Sequence, residues 1–302
     1  MHNPIRLIQT LIKSLKKRMF KKVFPVSETH NAIGLCLSGG AALGFAHIGV
    51  IQALEEHGIV PQYIAGSSMG AIIGTFYAAG YSPAEMLELI KEDKLYKISK
   101  LMTFRPAFFK TGLSNHSMLR ALLHELIPHN SFELLQKKLS ICVVNLNKAE
   151  WEIVESGNEL DKWVAASASI PGVFETIKEE EVYYVDGGLL NNMPAQGIAP
   201  FCKTIIGVDV IPHVVPSKLN KPTDTLAFSF RAVQHQNSTE GRALCRFIIE
   251  PKAIEEFHEF NFEAYQAIYQ HGYDATMKYI EQNPEIMKLS SKFQRAELNK
   301  IG

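Results

Sequence analysis

Cysteine is scarce and scattered: Cys36, Cys142, Cys202 and Cys245 are the only four in 302 residues. They form no C-x-x-C pair and no cluster with histidine, which argues against a disulfide framework or a metal site. Cys36 and Cys142 fall inside apolar strand-like runs, where a free thiol behaves as a small buried hydrophobe. Such usage fits a reducing, cytoplasmic compartment. No stretch of about 18 uninterrupted apolar residues exists, so a membrane-spanning helix is not expected. A secretory signal is not expected either, since the N-terminus has neither a compact apolar core nor a small-residue cleavage site. An excess of charge is also missing. The 31 basic residues balance 31 acidic ones, and bulk electrostatics gives no reason to expect nucleic acid.

What is present is ordinary in bulk and uneven in detail. The 46% apolar and 21% charged residues suit a globular protein. Seven basic residues (Arg6, Lys13, Lys16, Lys17, Arg18, Lys21, Lys22) and no acidic one fall in residues 1–24, leaving 24 basic against 31 acidic residues in the remainder. Over residues 5–23 the apolar Ile5, Ile8, Leu11, Ile12, Leu15, Met19 and Val23 recur at intervals that place them on one side of a helix. A basic amphipathic helix is therefore expected over residues 1–24. It either contacts an anionic membrane surface, at the inner face of the membrane, or docks on the protein's own body.

From residue 32 onward strand-like and helix-like runs alternate. Strands are expected at residues 32–37, 63–65, 139–145, 151–154, 182–185, 204–210 and 247–249. Helices are expected at about 43–56, 71–79, from Ser82-Pro83, from Asn115 and near 160–168, and two more close the chain. Residues 95–130 are less regular and include Phe104, Phe108, Phe109 and Leu113. No repeat, low-complexity stretch or linker interrupts the pattern. The expectation is an α/β fold, a three-layer α/β/α sandwich with a largely parallel central sheet, in one domain spanning 32–302.

The stretch with most chemical content is Gly66-Ser67-Ser68-Met69-Gly70. It matches G-x-S-x-G between a short apolar strand and a helix, the setting in which a serine sits on a sharp elbow with its hydroxyl exposed. Small neighbours are needed there because backbone segments come close. The start of the next helix favours developing negative charge. A nucleophilic serine also needs a base and an oxyanion stabiliser. Ser38-Gly39-Gly40-Ala41-Ala42-Leu43-Gly44, after the first strand, can present successive backbone N–H groups in one direction. A phosphate- or dinucleotide-binding reading fails on spacing, since the glycines make no G-x-G-x-x-G and no Gly-Lys-Ser/Thr follows. Asp186, in Val185-Asp186-Gly187-Gly188, is either a base or the head of an Asx-type turn. On the residues alone both readings stand.

These blocks, in this order, resemble the patatin-like phospholipases, in particular the small bacterial members. Phe45-Ala46-His47-Ile48-Gly49-Val50, Ala166-Ser167-Ala168-Ser169-Ile170-Pro171-Gly172-Val173-Phe174 and Leu189-Leu190-Asn191-Asn192-Met193-Pro194 agree as well, so the likeness covers residues 32–210. The resemblance implies a Ser–Asp dyad, with Ser68 as nucleophile and Asp186 as base, and an oxyanion hole of the Gly39, Gly40 and Ala41 amides. It implies a serine acyl hydrolase of phospholipid, lysophospholipid or other acyl esters that proceeds through an acyl-enzyme, with no metal or organic cofactor. The family's third glycine and the basic residue before its last glycine are replaced here by Ala41 and Leu43. Two other readings remain open. One is a serine acyltransferase with a histidine partner among His213, His235, His258 and His271. The other is a catalytically weak lipid-binding regulatory protein. His47 is expected to orient the glycine turn, and the 95–130 segment is either a lid or acyl-chain channel or a surface excursion.

Overall fold

The computed structural model describes residues 32–91, 116–211 and 222–291, with side chains of residues 222–224 excepted. The basic amphipathic helix expected over residues 1–24, the residues Phe104, Phe108, Phe109 and Leu113, and His213 lie outside the described residues. Among the described residues no helix is long and apolar enough to cross a membrane.

Strand β1 (Ile33–Leu37) leads through a 3-10 turn (Ala41–Phe45) into α1 (Ala46–Glu56). Strand β2 (Tyr63–Gly66) leads into α2 (Met69–Ala78), and α3 (Pro83–Lys91) and α4 (Ser117–Leu126) follow. Then come β3 (Lys138–Asn145), β4 (Glu150–Val154), α5 (Leu160–Ser167), β5 (Ile177–Glu179) and β6 (Val182–Asp186). The remaining elements are β7 (Thr204–Val208), α6 (Pro222–Asn237), α7 (Thr239–Ala243), β8 (Phe247–Ile249) and α8 (Tyr265–Gln282). Strand order is β5-β6-β3-β2-β1-β7-β8, with β4 paired to β3 off this path. The pairs linking β3, β2, β1, β7 and β8 are parallel, whereas β4, β5 and β6 join through antiparallel pairs.

Period-two alternation in the parallel strands divides the interior. Ile33, Leu35 and Leu37 of β1, Ile64 of β2, and Ile206 and Val208 of β7 enter the main core with α1, α2 and α8. Cys36, Tyr63, Ala65 and Ile205 enter a smaller cluster with Met193, Ala195 and Ile198. The sheet is thus covered on both faces in a three-layer α/β/α arrangement, although the second cover is thin. It is built largely from short 3-10 turns at Ala195–Gly197 and Ala199–Phe201.

Some local expectations change. The helix expected from Leu43 is a 3-10 turn until Phe45, because Gly40 and Ala41 hold non-helical dihedrals before it. Helix α8 is followed by a 3-10 turn at Pro284–Leu289. Strand β5 has three residues, two of them charged, and α6 carries no clean apolar face, so neither leaves a periodic signal. The start of α3 is a capping box. Glu85 accepts from the Ser82 amide at 2.9 Å and the Ser82 hydroxyl accepts from the Glu85 amide at 3.3 Å.

Helices α1 and α8 cross with backbone against backbone. A Cβ at Gly49 would overlap the Tyr269 carbonyl oxygen and lie 2.6 Å from the Tyr273 nitrogen, and one at Gly272 would overlap the Ala46 carbonyl. In an isolated helix Gly→Ala stabilises by roughly 0.5–1 kcal/mol. Here Gly49→Ala and Gly272→Ala are each expected to destabilise by about 1–3 kcal/mol, because the obstacle is main chain that cannot rotate away. Denaturant unfolding checks the sign, and a gain in stability from either variant contradicts this packing.

Candidate active site

The register of β3 brings the two motif ends together. Strand β2 runs up to Gly66 opposite Ile141, and antiparallel β6 runs down to Asp186 opposite Val143. Two strands therefore terminate beside the same stretch of β3. Ser68 follows one and Asp186 ends the other, and the Ser68 hydroxyl donates to Asp186 Oδ2 at 2.6 Å. Both side chains are buried.

The elbow is strained at the serine itself. Ser68 has φ 53° and ψ −124°, outside the regions an L-residue ordinarily adopts. Such a conformation costs on the order of 1–3 kcal/mol and persists only where its surroundings impose it. The flanking glycines contribute space. A Cβ at Gly66 would lie 2.5 Å from the Gly70 oxygen, and one at Gly70 would lie 2.6 Å from the Ser38 oxygen. Ser68 stands at the N-cap of α2 and makes no side-chain cap, because its hydroxyl is turned to Asp186. Its backbone N–H instead donates to Ser167 Oγ at 3.0 Å, and the Ser167 hydroxyl donates to the Cys142 carbonyl at 2.7 Å.

Each carboxyl oxygen of Asp186 has its own donor. Oδ2 faces Ser68, while Oδ1 accepts from the Gly188 amide at 2.8 Å and closes an Asx-type turn. Its own N–H donates to the Ser169 carbonyl at 3.0 Å. Burial is the larger influence on its acidity and outweighs the two hydrogen bonds, pushing the carboxyl up from 3.8 to about 7.

The glycine loop lies across from this pair. The Gly39 amide is taken, since it donates to Asn192 Oδ1 at 3.1 Å. Among the described residues the Gly40 and Ala41 amides have no acceptor. Ala41 takes φ 46°, the left-handed region that a third glycine would occupy without strain. Leu43 is fully buried in the main core, so at this position the loop turns a side chain inward. His47 Nε2 donates to the Ser38 carbonyl at 2.8 Å, and burial lowers its pKa to about 4, which keeps the ring neutral. It holds the turn, as expected.

Among the described residues, the other candidate histidines lie elsewhere. His271 contacts Glu256 at 3.1 Å, His258 sits beside Glu259, and His235 lines a cavity with Asp209, Glu250 and Lys252 whose lining does not include Ser68. Among the described residues, the Ser68 hydroxyl has a carboxylate partner and no imidazole partner. Several supporting groups were not singled out as such in the sequence. Ser167 and Ser169 occur in a block that matched the family without an assigned role. Buried Asn192 and Gln234 and half-buried Asn237 form an amide network at the Asp186 turn, where Asn237 Nδ2 donates to the Gly188 and Leu189 carbonyls at 3.0 and 3.1 Å. The usable signal was polar side chains embedded in apolar or glycine-rich surroundings.

The patatin-like phospholipase family model matches residues 35–198. Lysophospholipase NTE1 of Eremothecium gossypii is 30% identical over 185 residues, which make up 59% of this chain and 12% of that protein. Lysophospholipase NTE1 of Kluyveromyces lactis is 26% identical over 288 residues, 83% of this chain and 20% of that protein. The chain thus spans a fifth or less of the length of these relatives. Among solved structures, VipD from Legionella pneumophila aligns over 84% of this chain and 67% of its own, with a TM-score of 0.49 and 17% identity.

A carboxyl titrating near 7 when folded and near 3.8 when unfolded binds more proton in the folded state between those values. Wild-type stability contributed by this group therefore falls as pH rises from about 4 to about 7. The Asp186→Asn variant lacks that loss. Its Tm is expected to exceed the wild-type value by an amount that grows as pH rises toward 7 and then levels off. The depressed His47 and His116 act on both proteins alike and cancel in the difference. Calorimetry across pH 4–9 decides it, and a Tm difference that does not vary with pH contradicts the buried-carboxyl assignment.

Proposed function

The chain belongs to the patatin-like phospholipase family, and from that premise we propose that it hydrolyses acyl esters of phospholipids or lysophospholipids with Ser68 as nucleophile and Asp186 as base. The observation that carries this reading is the 2.6 Å bond from the Ser68 hydroxyl to a buried carboxyl poised near neutrality. A base with an ordinary carboxylate pKa is too weak for a serine; one raised to about 7 is matched to proton transfer at physiological pH.

In this mechanism Ser68 Oγ attacks the ester carbonyl carbon while its proton passes to Asp186. The oxyanion faces the Gly40 and Ala41 amides, the two in the loop without an acceptor among the described residues. As the tetrahedral intermediate collapses, the alkoxide leaves with the proton from Asp186 and the acyl group remains on Ser68. Water then attacks the acyl-enzyme, gives its proton to Asp186, and releases the fatty acid as Ser68 is reprotonated. The substrate class follows the relatives, which bear the name lysophospholipase. Residues 1–24 supply a basic amphipathic segment suited to the membrane surface where such substrates reside.

Fatty-acid release from a lysophospholipid and hydrolysis of a short-chain nitrophenyl ester test the reading. Ser68→Ala and Asp186→Asn are each expected to lower kcat by on the order of 10³-fold or more. Wild-type kcat/KM should rise with pH through about 7 and then flatten, since Asp186 must be unprotonated to act. Full activity in Asp186→Asn, or an inactive but folded wild type, refutes the proposed chemistry.

A further inference from the structure

Asn192 stands between the two parts of the site. Its side chain is fully buried. Oδ1 accepts from the Gly39 amide at 3.1 Å and from Gln234 Nε2 at 3.3 Å. Two donors on one oxygen fix which end of the carboxamide is which. The Asn192 main chain is held as well, because its N–H donates to Asn237 Oδ1 at 2.9 Å and its carbonyl accepts from the Gly39 amide at 3.4 Å.

The positions around this carboxamide are those of the reacting groups. A Cβ at Gly39 would sit 2.6 Å from Asn192 Oδ1 and 3.0 Å from the Ser68 Cβ. One at Gly188 would sit 2.8 Å from Asn192 Oδ1 and 3.0 Å from Asp186 Oδ1. The carboxamide therefore fills the gap between the glycine loop and the Asp186 turn, within a methyl group's width of each. Its Nδ2 is buried and, among the described residues, has no acceptor. Leaving a buried donor unpaired destabilises a fold, so packing alone does not account for an asparagine here. Gly39 precedes the two amides that have no acceptor among the described residues, and a 3-10 turn begins directly after Gly40, so the bond that fixes Gly39 sets where those amides point.

We propose that Asn192 is a positioning residue that aligns the Gly40 and Ala41 amides against Ser68, acting through its hydrogen bond to Gly39 and its contact with the Asp186 turn. The proposal rests on the hydrolase reading above. It gives the loop a side-chain anchor from a distant segment, where the chain has alanine at 41 in place of a third glycine.

A fluorophosphonate probe tests it apart from substrate choice. Ser68 Oγ attacks phosphorus, fluoride leaves, the serine proton passes to Asp186, and the adduct is counted by intact mass. The labelling rate at pH 9, above the Asp186 titration, is compared for wild type, Ser68→Ala, Asn192→Leu and Asn192→Asp, with thermal unfolding of each. Leucine removes the side-chain acceptor at similar volume and leaves the main-chain one, and aspartate keeps a side-chain acceptor for the Gly39 amide. Asn192→Leu is expected to label about 100-fold more slowly than wild type, as misplaced oxyanion donors do. Asn192→Asp is expected to recover at least about tenfold of that loss. In turnover of a lysophospholipid, the loss should fall on kcat, with KM within about threefold of wild type. Wild-type labelling in Asn192→Leu, or equal impairment in the leucine and aspartate variants, overturns the assignment alone. A folded wild type that does not label at Ser68 overturns the hydrolase reading and the assignment together. Should Asn192→Leu not fold, the smaller Asn192→Ser carries the same comparison against Asn192→Asp.

Discussion

A carboxylate placed in a dry interior with two donors, a serine hydroxyl and one backbone amide, is the constraint around which the rest of this structure is arranged. Removing an ion from water carries a penalty that two hydrogen bonds only partly offset, so the group retains its proton to near neutrality. Keeping Asp186 there requires a strand that ends abruptly, glycines that let the turn approach β3, and a neighbouring carbonyl for its own amide. The serine opposite must in turn accept dihedrals that its type avoids. Neither feature favours folding by itself, and both are imposed by what surrounds them.

That surrounding support is short in sequence and wide in space. One residue pair apart on α5 and its exit, Ser167 holds the Ser68 amide and Ser169 holds the Asp186 amide. Ser38 ties the start of the glycine loop to β7, with its N–H on Val208 and its hydroxyl accepting from the Val210 amide at 2.9 Å. The Ala42 amide reaches the Glu259 carbonyl, and the Glu259 side chain is paired with Arg231 at 2.7 Å. Interactions of this kind are modest singly. They matter here because they are directional and share one small volume.

Much of this was legible in the sequence. Glycines on either side of Ser68 are needed for backbone clearance, and a motif that depends on clearance leaves a local imprint. The alternating strands at 33–37, 63–66 and 204–208 were equally plain, because buried parallel strands are apolar runs. What could not be read was set by contacts between remote segments. That β6 would approach β3 antiparallel and end two residues beyond Gly66's partner depends on a register no single strand encodes. The same holds for the capture of the Gly39 amide by Asn192, 153 positions away. Helix α6 and strand β5 lacked periodicity because they sit at margins, where few of their side chains enter a core. Leu43, which in the sequence looked like a missing cation, is a core side chain in the folded protein.

The close crossing of α1 and α8 also has a bearing on synthesis. All three motif blocks have been synthesised by residue 188, yet the loop that bears Gly39 to Ala42 is buttressed by Glu259, and the helix it feeds is clamped by Gly272. A growing chain therefore possesses its reactive groups long before it possesses the scaffold that holds them. The order of emergence itself delays maturation of the site until the segment from Glu259 to Gly272 docks.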